Sequence, residues 1–528
     1  MEFRLVSPLD KVHYGDEAPQ CFCRPLSVLK GETASFQVAW KLDAGERPRY
    51  ITLRAPLARV RRVMHVPVVL AAYPDADGDT RTAPGLYPDL LRDWDGPLRA
   101  FCDHWESAWL DVCFEEAGDF EVLVEALDDA GNRIAARVQK VHVVNAALPR
   151  QTLIHTKWLH LDGICRIYHL TPFTEAFYAV LEKWVRLAVS RGINMILTPI
   201  HTPPLDTYVG GERMTAQLVD VWEENGQYRF GTEKLEDWFR RLRAWGVEYF
   251  EMAHLFSQWG AKCAPKIVSA DGRRLFGWDD AATGERYAAF VPQYVRAVVQ
   301  AIGRAGLRDR CYFHISDEPG EEARETYMRC KALVEKEIAG FPIMDALSDF
   351  SFYRTGAVGL PIPAVNHIGP FVEAHVPHLW TYYCCGQYKE VTNMFIGMPS
   401  WRNRILGWQL FKYDIEGFLQ WGFNFYNSQV SLYPIDPYSV TDGDGAFPAG
   451  DPFQVYPGAD GAPEESIRMM VTLHSLCDLR ALRLLEQLRG REAALAIVRD
   501  ITFTEYPRNL DGILDMRERV NAAIEASL

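Results

Sequence analysis

The sequence predicts a multidomain protein with an all-β part and an α/β part. An N-terminal β-sandwich over residues 1–148 is followed by a (β/α)8 TIM-like barrel over residues 149–528, which ends in C-terminal helices. Three observations predict this. The 528 residues exceed the size of one ordinary core. The first part of the chain has short strand patterns between Gly, Pro and Asp clusters, and from Thr152 strand and helix patterns alternate.

The first 148 residues contain strand patterns but no convincing amphipathic helix. Four stretches are the clearest: Ala34 to Trp40, Tyr50 to Leu53, Phe120 to Leu127 and Arg133 to Val144. The turn at 128–132, D-D-A-G-N, is typical of a loop that joins the last two strands as a hairpin. This pattern favours a sandwich, and its change near residue 148 predicts the domain boundary.

Eight candidate strands follow, which is the strand count of a TIM barrel. They are 152–160, 193–200, 247–256, 311–316, 342–347, 364–369, 378–384 and 418–425. Thr171-Pro172 predicts the start of a helix between the first two strands, and Gly246 predicts the end of a helix before the third. The link between the fifth and sixth strands is loop-like, which predicts a distorted barrel, and the final helices are expected at 464–486 and 509–525.

Composition excludes several classes of function. The net charge of −14 argues against nucleic acid and anionic membrane as partners. The N-terminus has no apolar signal region, so we expect a cytoplasmic protein. The eleven cysteines have no C-x-x-C pair and the histidines have no metal-site spacing, so neither a metal nor any other cofactor is predicted. The sequence gives no oligomeric state.

The stretch Cys311 to Pro319, C-Y-F-H-I-S-D-E-P, carries the candidate catalytic residues. Its apolar run ends in Asp317 and Glu318, at the carboxyl end of the fourth strand, where barrel enzymes place their sites. Two neighbouring carboxyl groups cannot easily both ionise, so one stays protonated while the other is an anion, as glycoside hydrolysis requires. Acidic pairs also occur by chance, and Asp16-Glu17 is interpreted as a surface turn.

Other side chains of types that bind sugars follow the predicted strands. Aromatic rings stack on a pyranose, and Asp, His and Asn bond to its hydroxyl groups. The predicted substrate-binding residues are His160, Asp162, His254, Trp259, Asp349, Tyr382, Tyr383, Trp421 and Asn424.

Four stretches resemble a known family. They are F-H-I-S-D-E-P (313–319), R-N-R-I-L-G-W-Q-L-F-K-Y (402–413), G-F-L-Q-W-G-F-N-F-Y-N (417–427) and V-Y-P-G with a following S-I-R (455–468). Together they resemble domain of unknown function family 4091, which is similar to glycoside hydrolase family 123, described as β-N-acetylgalactosaminidases. The resemblance covers about residues 150 to 525.

The resemblance implies a retaining exo-hydrolase of β-linked N-acetylhexosamine, with N-acetylgalactosamine favoured over the gluco epimer. Glu318 would be the general acid and base, and Asp317 would orient the 2-acetamido group as it attacks C1 to give an oxazolinium intermediate. A small oligosaccharide or glycoside is the expected substrate.

Three alternatives stay open. One is a retaining glycosidase with a covalent carboxylate nucleophile, such as Glu251 or Glu373, acting on a sugar without an acetamido group. Another is a carbohydrate-binding protein without catalysis. In the third, the acidic pair only anchors a loop.

Overall fold

The computed structural model describes residues 1–15, 17–94 and 96–528, so Asp16 of the predicted Asp16-Glu17 turn lies outside the described residues. The N-terminal part contains ten strands: β1 Glu2–Val6, β2 Leu26–Lys30, β3 Thr33–Lys41, β4 Arg49–Arg54, β5 Arg59–Val68, β6 Gly85–Asp93, β7 Leu98–Ala100, β8 Glu106–Cys113, β9 Gly118–Leu127 and β10 Arg133–Ala147. The predicted hairpin is present, because β9 and β10 pair antiparallel on either side of the 128–132 turn.

The remaining strands are shorter. They are β11 Ile154–Lys157, β12 Met195–Thr198, β13 Asp220–Glu224, β14 Gln227–Gly231, β15 Tyr249–Met252, β16 Ile267–Val268, β17 Arg274–Phe276, β18 Cys311–Tyr312, β19 Met344–Ala346, β20 Leu360–Ile362, β21 Trp380–Tyr382, β22 Gly417–Gln420, β23 Tyr456–Pro457 and β24 Pro463–Ser466.

The α-helices alternate with these strands and then close the chain. They are α1 Leu161–Ile167, α2 Glu175–Ser190, α3 Glu233–Ala244, α4 Glu285–Arg304, α5 Arg324–Val334, α6 Phe350–Arg354, α7 Gly369–Glu373, α8 Ser400–Arg404, α9 Leu406–Lys412, α10 Ile467–Arg489, α11 Arg491–Ile497 and α12 Leu510–Glu525. Short 3₁₀ turns lie at Arg308–Arg310, Glu321–Ala323 and Gln429–Ser431.

The N-terminal strands form two sheets. The first has the order β1-β3-β8-β5-β6-β24-β23 and the second has the order β2-β10-β9-β4-β7. The first sheet thus includes two strands from the C-terminal half, with Ser466 of β24 opposite Leu90 of β6. Sheet hydrogen bonds between β24 and β6 therefore cross the predicted boundary at residue 148.

The later strands form a half-barrel sheet, not a continuous eight-stranded barrel. Six strands pair in parallel in the order β18-β15-β12-β11-β22-β21, whereas β19 and β20 form a separate parallel pair. Isolated parallel bridges at Phe313 to Ile343 and at Ala364 to Tyr382 lie where the two sheets adjoin. Pro361 lies within β20 and Pro363 directly after it, and a proline has no N–H to donate to a ladder.

Local sequence explains the helix bounds. The predicted start at Thr171-Pro172 is three residues early, because the Thr174 hydroxyl accepts the Phe177 N–H at 3.3 Å and caps α2. The apolar stripe of this helix is buried, as expected for a helix that covers a sheet. In the described part of the chain, no helix is long and apolar enough to cross a membrane.

Candidate active site

The acidic pair lies beyond the carboxyl end of β18, on backbone held by two neighbouring segments. The Trp259 N–H donates to the Asp317 carbonyl at 2.8 Å, and the Glu318 N–H donates to the Ala346 carbonyl at 3.0 Å. Glu318 has φ of +42°, in the left-handed region that residues other than glycine seldom adopt. Such strain persists where surrounding contacts enforce it, which is common at functional sites.

Both carboxyl groups open into one cleft of about 640 Å³. Glu318 is exposed, and Asp317 is partly exposed. The other residues that line the cleft are mostly apolar or aromatic: Trp158, Leu205, Asp206, Gln258, Trp259, Ala346, Tyr382, Cys384, Cys385, Leu419, Trp421 and Phe447. A cleft with aromatic walls and few charged groups is suited to a ligand that has an apolar face.

The two carboxyl groups have different surroundings. The Tyr382 hydroxyl donates a hydrogen bond to Glu318 Oε1 at 2.5 Å. Desolvation, and then the charge of Glu318, raise the pKa of Asp317 well above its usual range, although His314 opposes this. Its surroundings therefore favour the protonated form of Asp317.

A fully buried charged triad lies below the pair. His314 Nε2 lies 3.0 Å from Glu251 Oε2, and His314 Nδ1 lies 3.2 Å from Asp345 Oδ1. Burial lowers the pKa of His314, but the hydrogen bonds to Asp345 and Glu251 outweigh it and raise the pKa to about 9. His314 is thus an imidazolium at neutral pH, and Asp345 is held further by the Tyr327 hydroxyl at 2.5 Å.

One group of described residues offers metal ligands. Atoms of His254, His314 and Asp345 lie within 4.8 Å of one another. However, the two imidazole rings stack at 4.1 Å with an interplanar angle of 21°, so their in-plane lone pairs point side by side and do not converge. Both ring nitrogens of His314 already contact carboxylates. The arrangement fits the charged triad better than a metal centre.

Five predicted site residues line the cleft: Asp317, Glu318, Trp259, Tyr382 and Trp421. They come from four different segments, as the strand-end argument expected.

His160 and Asp162 line a second cavity, beside Arg213. Asp162 binds the Arg213 guanidinium at 2.7 Å, and His160 Nε2 lies 3.0 Å from the Trp421 carbonyl oxygen. Asn424 is fully buried and joins this region to β22 through two hydrogen bonds with the His160 backbone, at 2.8 and 2.9 Å.

Three further predicted residues have structural contacts away from the cleft lining. His254 is fully buried against His314. Asp349 caps α6 by accepting the Ser351 N–H at 2.8 Å. Tyr383 is buried and packs edge-on against Phe418. Their sugar-binding roles stay predictions.

The sequence-based reasoning missed Asp206, Cys384, Cys385 and Phe447 in the cleft wall. Asp206 follows the second predicted strand and the turn signal Pro203-Pro204. That signal could have placed Asp206 at the same strand-end face as the acidic pair. Burial raises the pKa of Asp206 to about 6. Phe447 lies in a long loop far from any predicted strand, and no periodic signal marks it.

A parallel sheet with an acidic, aromatic cleft at its strand ends is typical of an enzyme active site. Residues 158–485 match the family model described as "Glycoside hydrolase 123, catalytic domain". The chain belongs to glycoside hydrolase family 123.

One solved structure agrees with this at the level of the fold. A family 123 glycoside hydrolase from Clostridium perfringens, described for glycolipid glycan hydrolysis, is 13% identical, with a TM-score of 0.78 over 99% of this chain and 97% of that chain. A GH10 xylanase from Thermobacillus composti is 12% identical, with a TM-score of 0.33 over 61% of this chain and 97% of that chain. None of the curated proteins compared with the chain matches it.

Proposed function

We propose that this glycoside hydrolase removes a terminal β-linked N-acetylhexosamine with retention of configuration, by substrate-assisted catalysis, and that N-acetylgalactosamine is favoured. The observation that carries the proposal is the placement of Asp317 and Glu318 side by side in one cleft, with Tyr382 on Glu318. Retaining enzymes with a covalent nucleophile hold two carboxyl groups across the sugar, about 5 Å apart. Sequence neighbours suit a mechanism in which the substrate supplies the nucleophile.

The two carboxyl groups have different roles in this scheme. Glu318 gives a proton to the glycosidic oxygen as the C1–O bond breaks, while the acetamido carbonyl oxygen bonds to C1. Asp317 accepts the acetamido N–H and stabilises the positive charge of the oxazolinium. Glu318 then takes a proton from the water whose oxygen attacks C1, and the bond from C1 to the acetamido oxygen breaks.

The proton of the pair must then move when substrate binds. The raised pKa belongs to Asp317, whereas the scheme needs the proton on Glu318. Because the two carboxyl groups are neighbours, a proton can pass from one to the other. An acetamido N–H that donates to Asp317 favours its anion and transfers the proton to Glu318, which places the acid beside the leaving oxygen.

A second candidate is a retaining glycosidase with a covalent nucleophile. The carboxylates first considered for that role do not line the cleft, since Glu251 is buried in the triad and Glu373 is exposed on α7. Asp206 does line it. Asp206 follows β12 and Glu318 follows β18, and β15 lies between these two strands in the sheet. This placement favours Asp206 as the nucleophile of that alternative.

The test measures release of nitrophenol from the β-N-acetylgalactosaminide, the β-N-acetylglucosaminide and the plain β-galactoside. The parent is compared with Glu318→Gln, Asp317→Asn and the matched control Glu321→Gln, which alters an exposed carboxylate three residues further on. We expect the parent to hydrolyse only the acetamido sugars. Activity should fall about a hundredfold or more in the two cleft variants and should not fall in the control.

A fluorinated series separates the two mechanisms. Replacing the acetyl hydrogens by fluorine weakens the carbonyl oxygen as a nucleophile, so kcat should fall steadily from acetamido to trifluoroacetamido. A flat series, or cleavage of the plain galactoside that Asp206→Asn abolishes, would favour the covalent mechanism.

Three further points belong to the proposal. Residues 1–148 are taken as a supporting sandwich and 149–528 as the catalytic part. The substrate is a small oligosaccharide or glycoside. A cytoplasmic location is consistent with the described cysteines, all of which are free thiols.

A further inference from the structure

Large hydrophobic side chains are exposed beside the cleft. Tyr208, Val209, Trp259, Leu432 and Tyr433 are five of the fifteen such side chains exposed in the described part of the chain. Val209 is 76% exposed, and Leu432 is 58% exposed. A group of exposed apolar side chains in neighbouring loops marks a binding surface more often than scattered single ones do.

Hydrogen bonds join the three loops that carry these side chains. The Val430 N–H donates to Asp206 Oδ2 at 3.1 Å, and the Tyr208 N–H donates to the Val430 carbonyl at 3.0 Å. The Gln258 side-chain amide donates to the Thr207 carbonyl at 3.2 Å. We call residues 206–211, 258–261 and 429–433 the loop rim. Asp206 is its shared anchor.

The backbone of the loop rim is held in unusual conformations. Asp206 has φ of +38°, Trp259 of +57°, Val430 of +49° and Ser431 of +55°. None of these residues is a glycine, and a β-branched residue such as Val430 is especially disfavoured there. Strained backbone persists where surrounding contacts over-determine it, and such positions cluster at ligand-binding sites.

The loop rim is continuous with the cleft. Asp206, Gln258 and Trp259 belong to both, and Glu318 is exposed on the same cleft. The glycosidic oxygen must lie beside Glu318, so the group attached to that oxygen leaves through the cleft mouth. The loop rim borders that mouth.

We propose that the loop rim binds an apolar aglycone attached directly to the sugar, an alkyl or aryl group. The inference rests on the proposed function and names the class of glycoside that it acts on. A second sugar ring would need several placed hydrogen-bonding groups. The two most exposed of the five hydrophobic side chains, Val209 and Leu432, are aliphatic and offer none. An anionic membrane is disfavoured as the occupant because the chain carries a net charge of −14.

Alkyl glycosides test this without a change in leaving-group chemistry. Methyl, butyl and hexyl β-N-acetylhexosaminides have leaving alcohols of nearly equal acidity, so differences in kcat/KM report contacts with the chain. A methylene that is half covered by protein contributes about twofold, so the butyl glycoside should exceed the methyl glycoside about eightfold. All are used below micelle-forming concentrations.

The double variant Val209→Ser, Leu432→Ser should reduce the butyl advantage to about twofold and leave the methyl glycoside unchanged. Its matched control is Leu57→Ser, Val138→Ser, which removes two exposed aliphatic side chains from the N-terminal part and should keep the full advantage. Equal kcat/KM for methyl and butyl glycosides would overturn the proposal. So would an unchanged advantage in the double variant, or a preference for a disaccharide over the butyl glycoside.

Failure of the proposed function gives a different result. If the nitrophenyl N-acetylhexosaminides are not hydrolysed, that function fails, and the aglycone site is still tested by calorimetric binding of the same alkyl glycosides to Glu318→Gln. Tighter binding of the butyl than the methyl glycoside, lost in the Val209 and Leu432 double variant, supports the site, and equal binding refutes it. Sedimentation tests whether a second copy of the chain occupies the loop rim. A dimer that the double variant dissociates would show that the loop rim binds a second copy and not an aglycone.

Discussion

Glu251→Gln distinguishes the structural role of the buried triad from a catalytic one. Glu251 is fully buried, and its carboxylate lies 3.0 Å from His314 Nε2. The folded pKa of His314 is raised from 6.5 to about 9. The protonated ring therefore stabilises the fold fully below about pH 6.5, and this contribution is lost as the pH rises through about 9.

The magnitude follows from the size of the pKa shift. At about 1.4 kcal/mol per pKa unit, the loss across this window is about 3 kcal/mol in the parent. In Glu251→Gln only Asp345 still holds the charged ring, so we expect a loss of about half that size. The variant also lacks one hydrogen bond to a charged group, which lowers its unfolding free energy at neutral pH by about 1–3 kcal/mol.

Urea unfolding at several pH values between 6 and 10 measures the effect. The parent and variant are compared at each pH because most other groups titrate alike in both. Glu248→Gln is the control, since Glu248 is partly exposed and pairs with Arg150 at the surface. A variant with the full pH dependence would refute the triad argument. A loss of activity of more than about a thousandfold at neutral pH would contradict a purely structural role for Glu251.

Two other substitutions test single contacts. Tyr382→Phe removes the 2.5 Å hydrogen bond to Glu318, so kcat/KM should fall about tenfold to a hundredfold with an unchanged melting temperature; an unchanged kcat/KM would contradict a role for this contact. Asp89→Asn leaves Arg468 buried without its charge partner, and the unfolding free energy should fall by about 3–5 kcal/mol. Asp93→Asn on the same strand breaks only an exposed pair and should cost less than about 1 kcal/mol, and equal costs for the two would refute the burial argument.

Strand-end reasoning placed the acidic pair beyond a strand because its signal is local. An apolar run that stops at two carboxylates and a proline places the acids beyond a strand in almost any parallel sheet, and Asp317 and Glu318 do line the cleft. The same reasoning failed to separate lining residues from supporting ones. Asn424 and His254 also lie near strand ends, but which way each side chain points depends on packing between distant segments.

The strands were harder to place where proline interrupts the ladder. The sixth strand was predicted at 364–369 and lies at Leu360–Ile362. The His367 N–H donates to the Ala364 carbonyl at 2.8 Å, so the apolar stretch after Pro363 turns instead of extending. Hydrophobicity alone does not distinguish a buried turn from a short buried strand. The hairpins β13–β14 and β16–β17 were also missed. Both are insertions between consecutive strands of the six-stranded sheet.

The N-terminal part contributes to the cleft without lining it. The Leu70 N–H donates to Asp442 Oδ2 at 2.8 Å, and the Leu70 carbonyl accepts the Ala449 N–H at 2.8 Å. These bonds hold both ends of the loop that carries Phe447 into the cleft wall. Because the loop has no strand or helix of its own, its position depends on this support. The N-terminal part therefore supports this wall of the cleft.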